Sequence, residues 1–247
     1  MWAGWSVYRK TYGAVDRAWR PGLWDGNWPA NLEEARVIQQ RLSARVIAHD
    51  AHGPVQTVAG VDAGYVAGDA RAAVVVLAFP SLEPLDYAVA RRPVDFPYIP
   101  GYLSFREAPA VLDALATLRV MPDLLICDGH GLAHPRRCGI ACHLGVVADL
   151  PSIGCAKSLL VGTHGALPDE RGAWVPLRDR DEVVGAALRT RRGVRPVYVS
   201  IGHRVALETA LQFVMACVTR YRLPETTRAA DALASHNRMP LIAIGGA

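Results

Sequence analysis

Three acidic residues lie where this sequence can support metal chemistry. Asp62 interrupts the apolar, β-rich segment QTVAGVDAGYV, and Asp128 ends the apolar segment PDLLICDGHG. A carboxylate in such a segment is costly unless it is paired or binds a metal ion. If the two segments form neighbouring strands, the aspartates converge and offer the hard oxygen ligands that Mg²⁺ and Mn²⁺ prefer. Glu107, near the start of a predicted helix, can supply a third oxygen.

Each of these acids also has an ordinary structural interpretation. Asp62 can cap the end of a strand. Asp128 precedes Gly129, and Asp-Gly is a common turn dipeptide. Glu107 follows Ser104 at the spacing of a capping box, with the serine as N-cap and the glutamate at N3. The acids alone therefore indicate a metal site and leave the structural alternatives open.

The elements that must position the acids follow from hydrophobic periodicity. NLEEARVIQQRLSARVI predicts a helix with Asn31 as its N-cap, and QTVAGVDAGYV, RAAVVVLAFP and PLDYAVARRPV predict an antiparallel meander of three strands. There follow, in order, a helix in SFREAPAVLDALATLR, a strand in PDLLICDGHG, a helix near CGIACHLGVVADL, a strand in SIGCAKSLL, a hairpin in VVGAALRTRRGVRPVYVSIG, a long helix in RVALETALQFVMACVTRY and a last helix in LPETTRAADALASHN. This order predicts an α/β fold whose mixed sheet has an antiparallel meander and a parallel half, flanked by helices.

Length and composition favour one domain with a real core. The chain has 247 residues, of which 51% are hydrophobic and 20% charged, and this composition argues against disorder. We interpret residues 1–29 as an N-terminal extension of unknown role and residues 30–247 as a single catalytic domain. The net charge of +4 is compatible with a polyanionic partner without identifying one. No apolar run is long enough to span a bilayer and no secretory signal is recognisable, so we predict a cytoplasmic protein without a membrane partner or an obligate protein partner.

The cysteines predict reduced thiols, because their number is odd and their spacing irregular. They are Cys127, Cys138, Cys142, Cys155 and Cys217. Cys138 and Cys142 lie close to His143, which leaves a zinc site as an alternative, but the sequence contains no matching second pair of ligands.

Six ordered blocks of the sequence resemble the endonuclease V family. They are VAGVD, which ends in Asp62; FPYIPGYLSFRE, from Phe96 to Glu107; DGHGLAHPRRCGIACHLG, from Asp128 to Gly145; SIGCAKS, with Lys157; VSIGHRVALETA, with His203; and LPETTRAADAL, with Asp231. The resemblance implies a ribonuclease H-like fold and a Mg²⁺-dependent DNA repair endonuclease, with Mn²⁺ also supporting activity. Such an enzyme hydrolyses the second phosphodiester bond 3′ to deoxyinosine and leaves 3′-hydroxyl and 5′-phosphate ends.

The resemblance also implies roles for individual residues. Asp62 and Asp128 match direct metal ligands, and Glu107 matches the third acidic residue. Asp231 matches a catalytic position that acts on the metal through a water molecule. Lys157 matches a lysine beside the scissile phosphate, where an ammonium can hold the phosphate or orient the attacking water.

The residue types of the loop FPYIPG indicate a role in displacing a base. Pro97 and Pro100 stiffen it, so Tyr98 and Ile99 can form a rigid wedge that unstacks bases. A damaged or mismatched base is cheaper to displace, which itself gives selectivity. The residues alone fit a turn with a buried aromatic equally well, and the resemblance favours the wedge.

Further residues in the matched blocks are candidates for binding the displaced base or its flanking phosphates. Glycines let the backbone approach a ligand closely, a histidine can pack or bond at the pocket, and arginines can bind phosphates. These candidates are Gly101, Leu103, Gly129, His134, Arg136, Arg137 and Gly139.

Three alternatives remain open. The enzyme can act on inosine-containing RNA if the groove admits a 2′-hydroxyl. It can be a broader nuclease that cuts flaps and mismatches. It can also be a protein that binds inosine without cutting, although the complete acidic set with Lys157 argues against this.

Overall fold

A single eight-stranded sheet organises the chain in the computed structural model, which describes residues 28–236. The strands are β1 (Thr57–Val66), β2 (Asp69–Ala78), β3 (Pro84–Pro93), β4 (Leu124–Cys127), β5 (Ser152–Ala156), β6 (Trp174–Asp179), β7 (Glu182–Leu188) and β8 (Val197–His203). The helices are α1 (Leu32–Ser43), α2 (Ser104–Thr117), α3 (Ile140–Ala148), α4 (Leu207–Ala216) and α5 (Glu225–His236). In space the strands follow the order β3-β2-β1-β4-β5-β8-β7-β6.

The predicted mixed sheet and its antiparallel meander are confirmed. β1, β2 and β3 pair antiparallel, whereas β1, β4 and β5 are parallel. The parallel portion is smaller than the predicted half, because β8 pairs antiparallel to β5 and is followed by β7 and β6. The sheet therefore has a parallel centre between two antiparallel flanks.

The parallel centre brings the two aspartates to one edge of the sheet. Val61 of β1 pairs with Cys127 of β4, so Asp62 and Asp128 are the next residues along neighbouring strands. The Asp128 N–H donates to the Val61 carbonyl at 3.0 Å, which continues the pairing to the acid itself. The predicted convergence of the aspartates therefore rests on strand register.

Helix α5 packs directly on β1. A Cβ atom on Gly60 would lie 1.8 Å from the Thr226 carbonyl oxygen, so only glycine permits this approach. α5 carries Asp231, and the contact holds this acid near the edge of the sheet where Asp62 lies. The predicted final helix, beginning after Pro224, is confirmed.

The start of α2 corrects the predicted capping box. The N-cap is Leu103, and no side chain caps the helix there. Ser104 is instead the first helical residue, and its Oγ is hydrogen-bonded to Nδ1 of His143 at 3.0 Å. By contrast, the predicted cap of α1 is confirmed, because the Asn31 side chain accepts a hydrogen bond from the Glu34 N–H at 2.9 Å. The capping interpretation of Glu107 was therefore wrong.

Two further elements differ from the prediction. The helix expected in RVALETALQFVMACVTRY is confined to α4, since the Cys217 carbonyl accepts from the Glu225 N–H at 2.8 Å and the chain turns towards α5. Strand β6 was missed, because its sequence contains Pro176 and only one fully buried position, Leu177. The predicted hairpin is confirmed as β7 and β8. No helix of residues 28–236 is long and apolar enough to cross a membrane.

The predicted extension contributes at least one residue to the core. Its first 27 residues lie outside the described part of the chain. Trp28 packs against Phe105 and His143, with ring centroids 6.2 Å and 5.6 Å away. The packed part of the chain therefore includes Trp28, two residues before the predicted domain boundary.

Candidate active site

Four polar side chains from four elements meet at the carboxyl edge of the central strands. Asp62 lies in β1, Asp128 directly follows β4, Lys157 directly follows β5, and Asp231 lies in α5. Nζ of Lys157 is 2.5 Å from Oδ2 of Asp128 and 3.9 Å from Oδ1 of Asp231. All four residues were predicted, although Lys157 and Asp231 were found only through the family resemblance.

The electrostatics of this cluster favour the arrival of a cation. Burial, and then the charge of Asp128, raises the pKa of Asp62 to about 8 against the pull of Lys157. Burial also raises the pKa of Asp128, and the hydrogen bond from Lys157 only partly offsets it. For Lys157, burial opposes the charge, but the bond to Asp128 and the charges of the surrounding aspartates together outweigh it, and the pKa is raised. The aspartates therefore repel each other, and one lysine does not neutralise them.

Glu107 approaches the same region from α2. Its side chain is buried, and Oε1 accepts a hydrogen bond from the Tyr65 hydroxyl at 3.2 Å. Burial raises the pKa of Glu107 to about 7, with the charge of Asp128 adding to the effect. A buried acid that is poorly compensated is typical of a functional site rather than of a helix cap.

The donor set suits a hard divalent cation. Within residues 28–236, no three histidine, cysteine or acidic side chains are gathered closely enough to hold a metal ion, and Lys157 occupies the position beside Asp128. The available ligands are nevertheless carboxylate oxygens that are partly buried and mutually repelling. Mg²⁺ and Mn²⁺ take such ligands, and their charge relieves the repulsion. Asp62 and Asp128 would hold the ion, with Glu107 close by.

The zinc alternative is not supported. Cys138, Cys142 and His143 are all buried in the core. The Cys142 thiol donates to the Ile201 carbonyl at 3.5 Å, and burial raises its pKa well above the ordinary value. Burial lowers the pKa of His143 to about 3. These side chains are neutral core groups, and no three histidine, cysteine or acidic residues in the described part of the chain form a group that could hold a metal ion.

The predicted wedge projects from the surface. The Tyr98 side chain is 70% exposed, so the alternative of a turn with a buried aromatic was wrong for this residue. The base of the loop is held at the Gly101 carbonyl, which accepts from Gln39 Nε2 at 2.9 Å, Arg136 Nη2 at 2.6 Å and His134 Nε2 at 3.0 Å. The exposed ring is therefore mounted on an anchored loop.

The histidine in this anchor is neutral and its tautomer is determined. Nδ1 of His134 accepts from the backbone N–H groups of Arg136 and Cys138, so Nε2 carries the proton that is donated to Gly101. Burial, and then the charge of Arg136, lowers the pKa of His134 to about 4. His134 therefore stabilises the loop through its hydrogen bonds to the backbone.

Both arginines of the HPRR segment face partners within the chain. Arg136 lies over the Tyr102 ring, with Cζ 4.0 Å from its centroid. Arg137 forms ion pairs with Asp179 at 2.8 Å and Glu182 at 2.7 Å. Both guanidinium groups therefore already have partners within the chain, and their predicted role in binding phosphates stays a prediction.

The predicted glycine and leucine contacts differ in accessibility. A Cβ atom on Gly139 would lie 2.1 Å from the His130 carbonyl oxygen, so backbone packing requires this buried glycine, and its contact with the substrate stays a prediction. Gly129 is half-buried beside the Ile140 side chain, and Leu103 is 39% exposed next to the wedge loop. The last two remain candidates for the pocket of a displaced base.

A basic groove beside Lys157 was missed by the sequence interpretation. It encloses about 550 Å³ and is lined by Lys157, Ser158, Arg195, Tyr221, Arg222, Leu223 and Arg228. Arg222 Nη2 donates to the Lys157 carbonyl at 3.2 Å, and the Arg228 guanidinium stacks on Tyr221 at 3.6 Å from the ring centroid. The available signal was the interleaving of basic and aromatic residues in TRYRLPETTR, which is typical of nucleic-acid contacts.

Carboxylates at the end of a mixed sheet, a lysine among them and a basic groove alongside define the class of metal-dependent nucleases with a ribonuclease H-like fold. Comparison with known proteins makes the assignment specific. The chain belongs to the endonuclease V family, whose model, described as Endonuclease V, matches residues 40–232. It is therefore a nuclease, and divalent-metal dependence is a general property of its family.

Individual relatives agree with this assignment. A protein of Roseiflexus sp. (strain RS-1) named Endonuclease V is 80% identical over 216 residues, which cover 87% of this chain and 97% of the relative. The crystal structure of endonuclease V from Streptomyces avermitilis has a TM-score of 0.82 and 46% identity, covering 85% of this chain and 94% of that chain. Endonuclease V of Ciona intestinalis, solved in complex with a 24mer DNA containing an inosine followed by a ribo-adenosine, has a TM-score of 0.73 and 28% identity, covering 83% of this chain and 96% of that chain. The ribonuclease H-like fold expected from the sequence is thereby confirmed.

Proposed function

We propose that this protein is a Mg²⁺-dependent DNA repair endonuclease that hydrolyses the second phosphodiester bond 3′ to deoxyinosine. The products are a 3′-hydroxyl and a 5′-phosphate. The observation that carries the proposal is the cluster of Asp62, Asp128 and Asp231 around Lys157. The complex of the Ciona relative with inosine-containing DNA supports the choice of substrate.

The acids and the lysine divide the chemistry between them. Asp62 and Asp128 would hold Mg²⁺ directly, and Glu107 and Asp231 would contribute through water. When bound, the ion neutralises the phosphate and stabilises the leaving oxygen. Nζ of Lys157 lies 2.5 Å from Oδ2 of Asp128, and its ammonium would hold the scissile phosphate. Asp231, which is 47% exposed, would orient the attacking water.

The surfaces on either side of the acids bind the strand. Tyr98 and Ile99 unstack the duplex at the lesion, with Pro100 stiffening the loop, and the displaced base enters a pocket near Gly101, Leu103 and Gly129. Since the Gly101 carbonyl already accepts three hydrogen bonds, backbone N–H groups are the better candidates for reading O6 of hypoxanthine. The arginines of the basic groove take over the phosphate contacts that the sequence assigned to Arg136.

One cleavage assay tests this function. End-labelled duplexes with a single deoxyinosine, and matched RNA, uracil, mismatch and flap substrates, are incubated with Mg²⁺, Mn²⁺ or chelator. We expect one cut at the second bond 3′ to deoxyinosine, with ends that a DNA ligase reseals. Exclusive cutting of the RNA, equal cutting of every substrate, or binding without cutting would each replace the proposed function by one of the alternatives.

The wedge has a separate test in Tyr98→Ala. Loss of a stacking aromatic ring costs about 1–3 kcal/mol per base, so we expect binding to the inosine duplex to weaken roughly tenfold. Affinity for Mg²⁺ should stay unchanged, because the ring does not touch the acids. Equal DNA binding by the variant and the parent would contradict the wedge.

A further inference from the structure

The Tyr65 hydroxyl lies between the Arg106 guanidinium and the Glu107 carboxylate, both of which belong to α2. Tyr65 is in β1, on the same strand as Asp62. Arg106 Nε donates to the Tyr65 oxygen at 3.2 Å, and this hydroxyl donates to Glu107 Oε1 at 3.2 Å. Because a guanidinium can only donate, the phenolic oxygen accepts from it and its proton is committed to the carboxylate. The direction of both hydrogen bonds is thus determined when Glu107 is ionised.

The same arginine also contacts the wedge loop. Arg106 Nη1 donates to the Phe96 carbonyl at 2.6 Å. Its guanidinium lies over two rings, with Cζ 4.9 Å from the centroid of Tyr65 and 5.8 Å from that of Tyr98. A continuous series of contacts therefore runs from the exposed wedge, through Arg106 and Tyr65, to the Glu107 carboxylate.

We propose that Tyr65 is a positioning residue, which holds the Glu107 carboxylate in the orientation that serves the metal ion. The inference rests on the proposed function, since it assumes that Glu107 serves a divalent cation. Glu107 is buried and its Oε1 is held by the phenol, so the free rotation that the side chain would otherwise have is removed. Hydrogen-bonding partners of this kind around a metal site typically change affinity or activity by 10- to 100-fold. Arg106, in turn, fixes the phenol.

The decisive variant is Tyr65→Phe. It keeps the ring against Arg106 and removes only the hydroxyl, so the fold is preserved, as its melting temperature in chelator will verify. We expect calorimetric titration of the DNA-free protein to give roughly tenfold weaker Mg²⁺ binding, at the lower end of the range for such partners. The matched control is Tyr87→Phe, which removes the hydroxyl of another exposed strand tyrosine, on β3, and should bind Mg²⁺ as the parent does.

Kinetics separate positioning from a general structural role. The Mg²⁺ concentration that gives half-maximal cleavage should rise by the same factor in Tyr65→Phe. At saturating Mg²⁺, kcat should return to the parent value, and KM for inosine DNA should be unchanged throughout. Parent-like Mg²⁺ affinity, or a loss of kcat that Mg²⁺ does not restore, would overturn the proposal. If the parent fails to cut inosine DNA, the proposed function falls, but the calorimetric comparison still decides the role of Tyr65.

Discussion

Two regions of this molecule contain the residue types that bind metals, and they differ in how burial acts on charge. At the edge of the sheet, Asp62 and Asp128 are partly buried next to each other, and the pKa of each is raised. In the core, Cys142 and His143 are buried and are held neutral chiefly by the same desolvation. Ionisation of the acids is therefore unfavourable near neutral pH, whereas the core groups are neutral, which burial favours.

The difference shows why residue type alone does not identify a metal site. A neutral thiol or imidazole contributes to packing and needs no ion. Repelling carboxylates cost stability in the absence of a cation, and proteins retain such arrangements chiefly at functional sites. The contrast predicts that substitutions in the two regions will have opposite effects on activity and stability.

The largest expected effect is the loss of cleavage in Asp128→Asn. This change removes a proposed metal ligand and the partner of Lys157, while keeping the size of the side chain. We expect cleavage of an inosine duplex to fall below detection and DNA binding in chelator to persist. Cys142→Ala, the matched change in the core region, should cut at close to the parent rate. Near-normal cleavage by Asp128→Asn would show that the acidic region is not needed for catalysis, which would contradict the comparison.

Mg²⁺ should stabilise the parent through the acidic region only. An ion that binds only the folded state adds about 2.7 kcal/mol to the unfolding free energy at a hundredfold excess over its Kd. We therefore expect the melting temperature to rise with Mg²⁺ in the parent and in Cys142→Ala, and to rise much less in Asp62→Asn. A rise of the same size in Asp62→Asn would place the ion elsewhere.

In the presence of chelator, the pH dependence of stability should distinguish the acidic region from the core region. The folded pKa of Asp62, about 8, lies above its unfolded value of 3.8, so the folded state binds more protons between these values. The contribution of Asp62 to stability is fully present below pH 3.8 and is lost as the pH rises through about 8. We expect Asp62→Asn to melt higher than the parent at pH 8, with a smaller difference at pH 5. If Asp62→Asn melted at a lower temperature than the parent at pH 8, ionisation of Asp62 would not be destabilising the folded state.

The central part of the site could be predicted from the sequence because it depends on strand periodicity. Asp62 and Asp128 each end or interrupt an apolar run, and parallel pairing of the two runs is enough to bring them together. Lys157 and Asp231 have no such signal in the apolar pattern, so only the family motifs revealed them. The capping box failed for a related reason, since its spacing does not show whether Ser104 is the cap or the first helical residue.

Contacts made across long sequence separations could not be predicted. Gln39 reaches the Gly101 carbonyl from α1, 62 residues away, and Tyr65 reaches Glu107 across 42 residues. The basic groove is likewise assembled from loops around Arg195 and Tyr221. Side chains such as these have no periodic pattern that assigns them a partner, and their roles follow only from tertiary packing.

The smallest expected effect belongs to the core region, in Cys138→Ala. The change removes a buried sulfur from the core, and a loss of about 1 kcal/mol of stability is typical of such substitutions. Cleavage and the Mg²⁺-dependent rise in melting temperature should match those of the parent, because this thiol is neutral and lies apart from the acids. Chemical denaturation and metal analysis of the purified proteins check both points. Zinc bound to the purified parent but absent from Cys138→Ala would show that the core region is a second metal site. That result would contradict the difference drawn between the two regions.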